Sequence, residues 1–414
     1  YVDAREAWEE RPHRWRLPGL HSDETQQALS LIRVALDRGD VTRAAVANLW
    51  RRMASEPRDP RLVLGAHRGF GVTFSRAIKA LVAGESAPGQ PSAGSGAAAR
   101  LAPLGLLMRD EPDRLTETVI DLSLLTHTDP RAIAGALSAA HAVALAAGQS
   151  NRDCGAILED LRERVHEGEV RLLRDHRSHL SIDSPGEGDP IHAMSRALGA
   201  VPGLISEGDI DLALKTLVRQ GNHLAPSRPL TSPNAGFAPL TVSVALLIGL
   251  GQQSFAQSIS RLAGEGKESD TAAAIAGAVL GARHGEESIP ADWREDLIAR
   301  AEIEQFADAL ADPECAHAAP DLVEMETALT LRECDARAPL EDALAKRRAR
   351  SAKRAPASPG KSKPKPPSEP LPFAPPPQTY LRDIEDPEAK RRERAARGRK
   401  RVGWKEERRR GKRR

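Results

Sequence analysis

The chain has 414 residues, with 60 Lys+Arg, 58 Asp+Glu, only 3% aromatic residues and three cysteines, Cys154, Cys315 and Cys334. No CxxC pair exists, which argues against a zinc ribbon or a disulfide framework and fits a reducing cytoplasm. The longest apolar stretch, Leu240 to Gly251, is too short to span a bilayer and holds Thr, Ser and Gly, so it reads as a buried helix, not a membrane segment.

Phe, Trp and Tyr number 6, 5 and 2, so a core must be built from Ala, Leu, Ile and Val. That balance favours helix over strand. The net charge of +2 hides two opposed parts. Lys346 to Arg414 carries 25 Lys+Arg against 8 Asp+Glu, a net of +17, and the preceding 345 residues carry a net of −15. The expected organisation is one helical domain over 1–345 and a disordered Pro-rich and basic tail over 346–414. The chain begins at Tyr1 and its first methionine is Met53, which reads as a fragment with something N-terminal missing.

After an irregular start with Pro12, Pro18 and Gly19, a helix is expected from Ser22-Asp23-Glu24-Thr25. Leu29, Ile32, Ala35 and Leu36 follow helical spacing, and Gly39 ends the helix. A second helix is expected over Val41 to Ala54. A glycine-spaced turn, Arg68-Gly69-Phe70-Gly71, precedes another helix reaching about Leu81. Ala83 to Gly96 reads as a loop, and Ala97 to Leu107 resumes apolar character. Asp129-Pro130 is an N-cap followed by proline at the first helical position, opening a helix toward Gly148. Further helices are expected over 151–175, 189–200 and 208–219. The pair 240–262 and 270–282 would close the core, with 292–311 and 320–344 outside it. From Ala355 to Pro377 the chain is too rich in Pro, Lys and Ser to offset ordering entropy.

Two acidic tetrads carry the chemical signal. Ser22-Asp23-Glu24-Thr25 and Glu268-Ser269-Asp270-Thr271 both combine hydroxyls and carboxylates at a helix start. Such oxygens suit a hard cation such as Mg²⁺. Taken singly, each also reads as an ordinary N-cap with acids complementing the helix dipole. The second tetrad leads into Ala272-Ala273-Ala274-Ile275-Ala276-Gly277-Ala278, whose small side chains permit close approach.

Together with Gly94-Ser95-Gly96-Ala97-Ala98-Ala99-Arg100, Ala102-Pro103-Leu104-Gly105 and Thr126-His127, these tetrads resemble, in order and spacing, the ADP-ribosylglycohydrolase family, over roughly residues 15–300. The family's opening motif is Ser/Thr-Asp-Asp-Thr, its closing motif Asp-Thr-Asp-Thr, and its central loop Gly-Asn-Gly-Ala-Ala-Met-Arg. The resemblance implies an all-α, single, orthogonally packed helical domain with two Mg²⁺ ions at its centre. It assigns metal contacts to Ser22, Asp23, Glu24, Asp270 and Thr271, with Glu268 as a further ligand. It places ADP-ribose near Gly94, Ser95, Gly96 and His127; read alone, His127 is equally a helix-flanking histidine. The implied activity is magnesium-dependent removal of ADP-ribose from a modified protein side chain or a related conjugate, in a cytoplasmic monomer.

The sequence departs from the family pattern in four ways. The opening Gly-Asp-Ala-Leu-Gly segment is missing, Glu24 and Glu268 stand where Asp is usual, Ser269 replaces Thr, and Ser95 replaces Asn. Two other readings therefore stand beside the hydrolase: a catalytically inactive protein that binds ADP-ribose, and a helical scaffold whose active part is the tail. In the tail, Lys390-Arg391-Arg392, Arg399-Lys400-Arg401 and Arg408-Arg409-Arg410 offer weak, non-specific contact to nucleic acid or another polyanion.

Overall fold

In a computed structural model of the chain, the described residues are 15–149, 151–181, 190, 192–224, 226 and 228–354. The expected tail falls outside them beyond residue 354. The described residues up to 349 belong to one compact unit, and residues 350–354, the end of the last helix, to a second.

Small side chains explain the middle of the first unit. Helix α7, Pro130–Ala146, is buried along its whole length, and it is almost half alanine. Asp129 caps it by accepting a hydrogen bond from the Arg131 N–H, and Pro130 occupies its first turn. With so little side chain on any face, neighbours approach its backbone closely. Gly105 packs on it so tightly that a Cβ there would sit 2.3 Å from the Ala140 carbonyl oxygen. A second all-buried helix, α12 (Ala238–Gly249), covers the apolar run predicted to be buried.

Two apolar clusters meet along α7. One joins α7 to α8 (Cys154–Asp175), α9 (Ala193–Leu198), α10 (Val201–Glu207), α11 (Ile210–Gly221), α12 and α14 (Ser269–His284). The other gathers α1 (Asp23–Arg38), α2 (Arg43–Ser55), α3 (Val72–Val82), α6 (Pro112–Ser123) and α16 (Arg300–Ala311). Between them lie two short helices, α4 (Gly96–Arg100) and α5 (Ala102–Leu107). Two outer helices, α13 (Phe255–Gly264) and α15 (Ala291–Glu295), precede the long α17, Leu322–Arg354. No helix among the described residues is long and apolar enough to cross a membrane.

Among the described residues the fold is all-α apart from a four-residue strand, Val63–Ala66, that composition did not foretell. Four other expectations are corrected. Helix α6 went unread, although Pro112 at its start and Leu115, Val119, Ile120 and Leu122 at helical spacing mark it. The span 240–262 is two helices, because the chain turns through Gly249-Leu250-Gly251 before Ser254 forms a capping box for α13. The span 292–311 is also two, with Ala299 in the left-handed region between them. The expected 189–200 helix is α9, but α10, which follows it from Val201, also went unread.

A candidate metal centre at two helix starts

Helix α1 begins as expected at Ser22 and ends at Gly39, which takes the left-handed conformation that glycine adopts readily (φ 68°). The cap reading fails at both acidic tetrads. Ser22 makes no side-chain cap hydrogen bond at the head of α1, and neither does Glu268 at the head of α14. Elsewhere caps are made: Thr42, Asp129, Asp153, Asp209 and Ser254 each accept from a backbone N–H one to three residues into their helix. The Glu24 and Thr271 side chains are instead turned toward one another.

The Thr271 hydroxyl donates to Glu24 Oε1 at 2.8 Å, joining the two helix starts across 247 residues of sequence. Asp23 lies close enough to Glu24 and Asp270 for their charges to act on it. Burial, then the Glu24 carboxylate, then Asp270 push the Asp23 carboxyl well above the usual carboxylate range. Burial and the Glu24 charge raise Asp270, partly offset by the Thr271 N–H and Arg16. Burial and the charges of Asp270 and Glu24 raise Glu268, partly offset by Arg228. The cluster grades from buried Glu24 through half-buried Asp23 to exposed Asp270 and Glu268. Glu24 Oε2 is buried without a hydrogen-bond partner among the described residues.

The glycine loop adjoins this cluster through a segment that sequence reasoning missed, Asn234 to Phe237. Gly94 pairs with Phe237 in an antiparallel bridge, and the Ser95 N–H donates to the Gly236 carbonyl at 3.1 Å. From the other side, the Glu268 N–H donates to the Asn234 carbonyl at 3.3 Å. Gly236 has φ 77°, and a Cβ there would press to 3.0 Å from Glu268 Cγ, so only glycine lets Glu268 lie across this turn. The turn residues Ser232-Pro233-Asn234-Ala235-Gly236 were the available signal.

His127 meets the loop from below. A Cβ on Gly94 would lie 3.7 Å from His127 Nε2, and one on Gly96 would lie 3.8 Å from its Cε1. Behind the ring runs a buried hydrogen-bonded chain. Gln27 donates to Asp23 Oδ2 at 3.0 Å and accepts from Arg100 Nη1 at 3.3 Å. Arg100 Nη2 donates to Thr126 Oγ1 at 2.5 Å, and Thr126 Oγ1 lies 2.7 Å from His127 Nδ1. The Thr126 hydroxyl has one proton. Its other acceptor, the Ser123 carbonyl, is at 3.5 Å, so we assign the proton to His127 Nδ1. The tautomer is then Nε2–H, with its donor toward the glycine loop. Burial, then the Arg100 charge, hold His127 down to about 3, so the ring is neutral near pH 7. Arg100 is itself fully buried over the Trp50 ring, and burial lowers it to about 9.

All ten predicted site residues thus fall in one neighbourhood: Asp23, Glu24, Glu268, Asp270 and Thr271 as the acidic cluster, Ser22 at the head of α1, and Gly94, Ser95, Gly96 and His127 beside Gly236. Sequence reasoning missed Gln27 and Thr126 as the links between the two groups, and Arg100 as the residue that joins them.

No curated protein matches the chain. A solved structure titled "ADP-ribosylglycohydrolase-related protein complex" is similar at 24% identity over 71% of this chain and 81% of that one, with a TM-score of 0.45. The sequence profile of the ADP-ribosylglycohydrolase family matches residues 2–320, a span that holds both tetrads, the glycine loop and His127, and the chain belongs to that family.

Proposed function

We propose that the protein is a magnesium-dependent hydrolase that releases ADP-ribose from a modified protein side chain or a related conjugate. The observation that carries this is the buried, unpartnered Glu24 Oε2, set among three further carboxylates whose proton affinities are raised. A buried carboxylate oxygen without a partner is costly, and a divalent cation supplies the missing partner and cancels the repulsion. The donors are all oxygen, which suits Mg²⁺. Asp23, Glu24, Asp270 and Thr271 would hold the metal, two ions in all, with Ser22 and Glu268 as further ligands. Thr271 spends its proton on Glu24 and keeps lone pairs for a cation.

When bound, the metal supplies Lewis-acid polarisation and orientation of the sugar hydroxyls. The chain's own groups do the rest. The carboxylate cluster favours positive charge developing at the anomeric carbon. Gly94 and Gly96 leave room for the ligand against His127, whose neutral ring offers Nε2–H to a phosphate or hydroxyl oxygen without adding a charge.

The test is release of ADP-ribose from N-linked and O-linked ADP-ribosyl proteins, followed by chromatography. Release should stop with EDTA, return with Mg²⁺, and fall at least ~100-fold in Asp270→Ala, the scale on which loss of one charge-stabilising group acts. Turnover unaffected by EDTA would overturn the proposal. Glu24 and Glu268, each longer than the usual Asp, favour a second reading, an ADP-ribose-binding protein without turnover. Calorimetric binding of ADP-ribose with no release would select it.

A further inference from the structure

A second, chemically different cluster lies on α8. His166 and Glu169 are three residues apart on that helix and therefore share a face. His192, just ahead of α9, meets them there. One ligand atom from each of the three residues falls within 4.8 Å of the other two, and His192 Nδ1 is 3.7 Å from Glu169 Oε2. The two imidazole rings sit 5.0 Å apart.

We infer that His166, Glu169 and His192 form a zinc site, separate in residues and in chemistry from the carboxylate cluster. Two imidazole nitrogens and one carboxylate oxygen are a ligand set that zinc takes, with a fourth position left for water or another donor. Mg²⁺ prefers oxygen alone. Zinc bonds of about 2.0–2.1 Å put tetrahedral ligand atoms roughly 3.3 Å apart. The His192–Glu169 pair is within about half an ångström of that, and the other separations, none above 4.8 Å, would have to close by side-chain rotation, for which exposed His166 has room.

The carboxylate is held in place for this role. Glu169 is fully buried, and its Oε1 accepts the Met194 N–H at 2.9 Å and the Ser195 N–H at 3.3 Å. Those bonds fix the plane of the carboxyl group and leave Oε2 directed at the histidines, the support from outside the ligand shell that metal carboxylates typically receive. His166 is exposed and His192 half-exposed, so an ion reaches the site from solvent. Bound there, zinc would tie α8 to the chain segment entering α9.

The experiment is a zinc titration of the chelator-stripped full chain by calorimetry, beside Asp270→Ala, His166→Ala and His192→Ala. One zinc should bind the wild type and Asp270→Ala alike. Either histidine variant should weaken it by more than the ~10–100-fold that loss of a mere supporting hydrogen bond costs. Exposed His166 can be replaced without disturbing packing, and an unchanged far-ultraviolet spectrum will establish that its variant is folded. Cobalt substitution gives a second readout: a visible band that both histidine variants abolish and Asp270→Ala keeps. Zinc affinity equal in wild type and the histidine variants, or no binding at micromolar zinc, would overturn the inference and leave the trio as an ion pair between His192 and Glu169.

Discussion

The head of α1 touches two acidic regions that are built on opposite principles. On one side, Glu326 of α17 is fully buried and surrounded by donors: His21 Nε2 at 2.8 Å, Gln26 Nε2 at 2.9 Å, and the Arg68 guanidinium. Burial alone would raise its carboxyl, but the hydrogen bond from His21 and the Arg68 charge win, and it is lowered to about 2. On the other side, Asp23, Glu24, Glu268 and Asp270 gather at the two helix starts, and loss of solvent together with like charge raises Asp23, Glu268 and Asp270. The first arrangement satisfies every charge within the protein and locks α17 onto α1. The second leaves like charges side by side, the repulsion that the cation of the proposed function would relieve. Buried carboxylates arranged for structure and those arranged for chemistry are thus told apart by what surrounds them. Glu326 also lies past the family match at residues 2–320, while all four carboxylates of the cluster lie within it.

The contrast breaks most visibly in stability. Glu326→Gln keeps the shape but strands Arg68 and His21 beside a neutral amide. Removing one partner of a buried pair costs about 3–5 kcal/mol, measurable as a lowered denaturation midpoint in urea. A loss below about 1 kcal/mol would mean that the pair is no stronger than a surface one. Asp23→Asn should behave in the opposite way. It removes a repelled charge, so the metal-free protein should be as stable as wild type or more so. What it should lose is the stabilisation by Mg²⁺, which for the wild type is about 2.7 kcal/mol when the ion is at a hundred times its dissociation constant. Thermal unfolding with EDTA and with Mg²⁺ measures both. If Asp23→Asn destabilised the metal-free protein as Glu326→Gln does, the cluster would be structural.

Much of this architecture was legible in the sequence because local chemistry announces it. The Ser22 and Asp129-Pro130 helix starts and the Gly39 stop are each written in a few adjacent residues. The two tetrads were legible as a pair, and they meet through Thr271 and Glu24. Long-range polar partnerships were not. Glu326 looks like any acid on an outer helix, and nothing near it in sequence reveals His21 or Arg68, whose side chains it meets across roughly three hundred residues. Arg100 is similar: its role depends on Gln27 and Thr126 arriving from two other elements. The breaks at Gly249 to Gly251 and at Ala299 were missed for another reason. At the first, Gly249, Gly251 and the polar Gln252-Gln253-Ser254 were marks of a stop and a new start that the length of the apolar run overshadowed, and at the second a left-handed alanine carries no sequence mark.

The smallest effect is the sharpest discriminator, because the two regions should respond to pH with opposite signs. Stability rises with pH wherever the unfolded chain binds more protons. Glu326 is lowered from an ordinary 4.5 to about 2 in the fold, so its contribution is complete above 4.5 and is lost as pH falls toward 2. Asp23, Glu268 and Asp270 are raised, so their folded forms hold protons that the unfolded chain has released. Their contribution is present below the ordinary carboxylate range and is lost as pH rises through their raised values. In EDTA the melting temperature should therefore climb with pH on the acid side and then sag. Mg²⁺ competes with those protons, so the gap between the Mg²⁺ and EDTA curves should widen as pH rises. In Asp23→Asn the sag should shrink, while the acid limb governed by Glu326 should stay where it is. A gap that did not vary with pH would place the bound ion away from these carboxylates, whatever activity it supported.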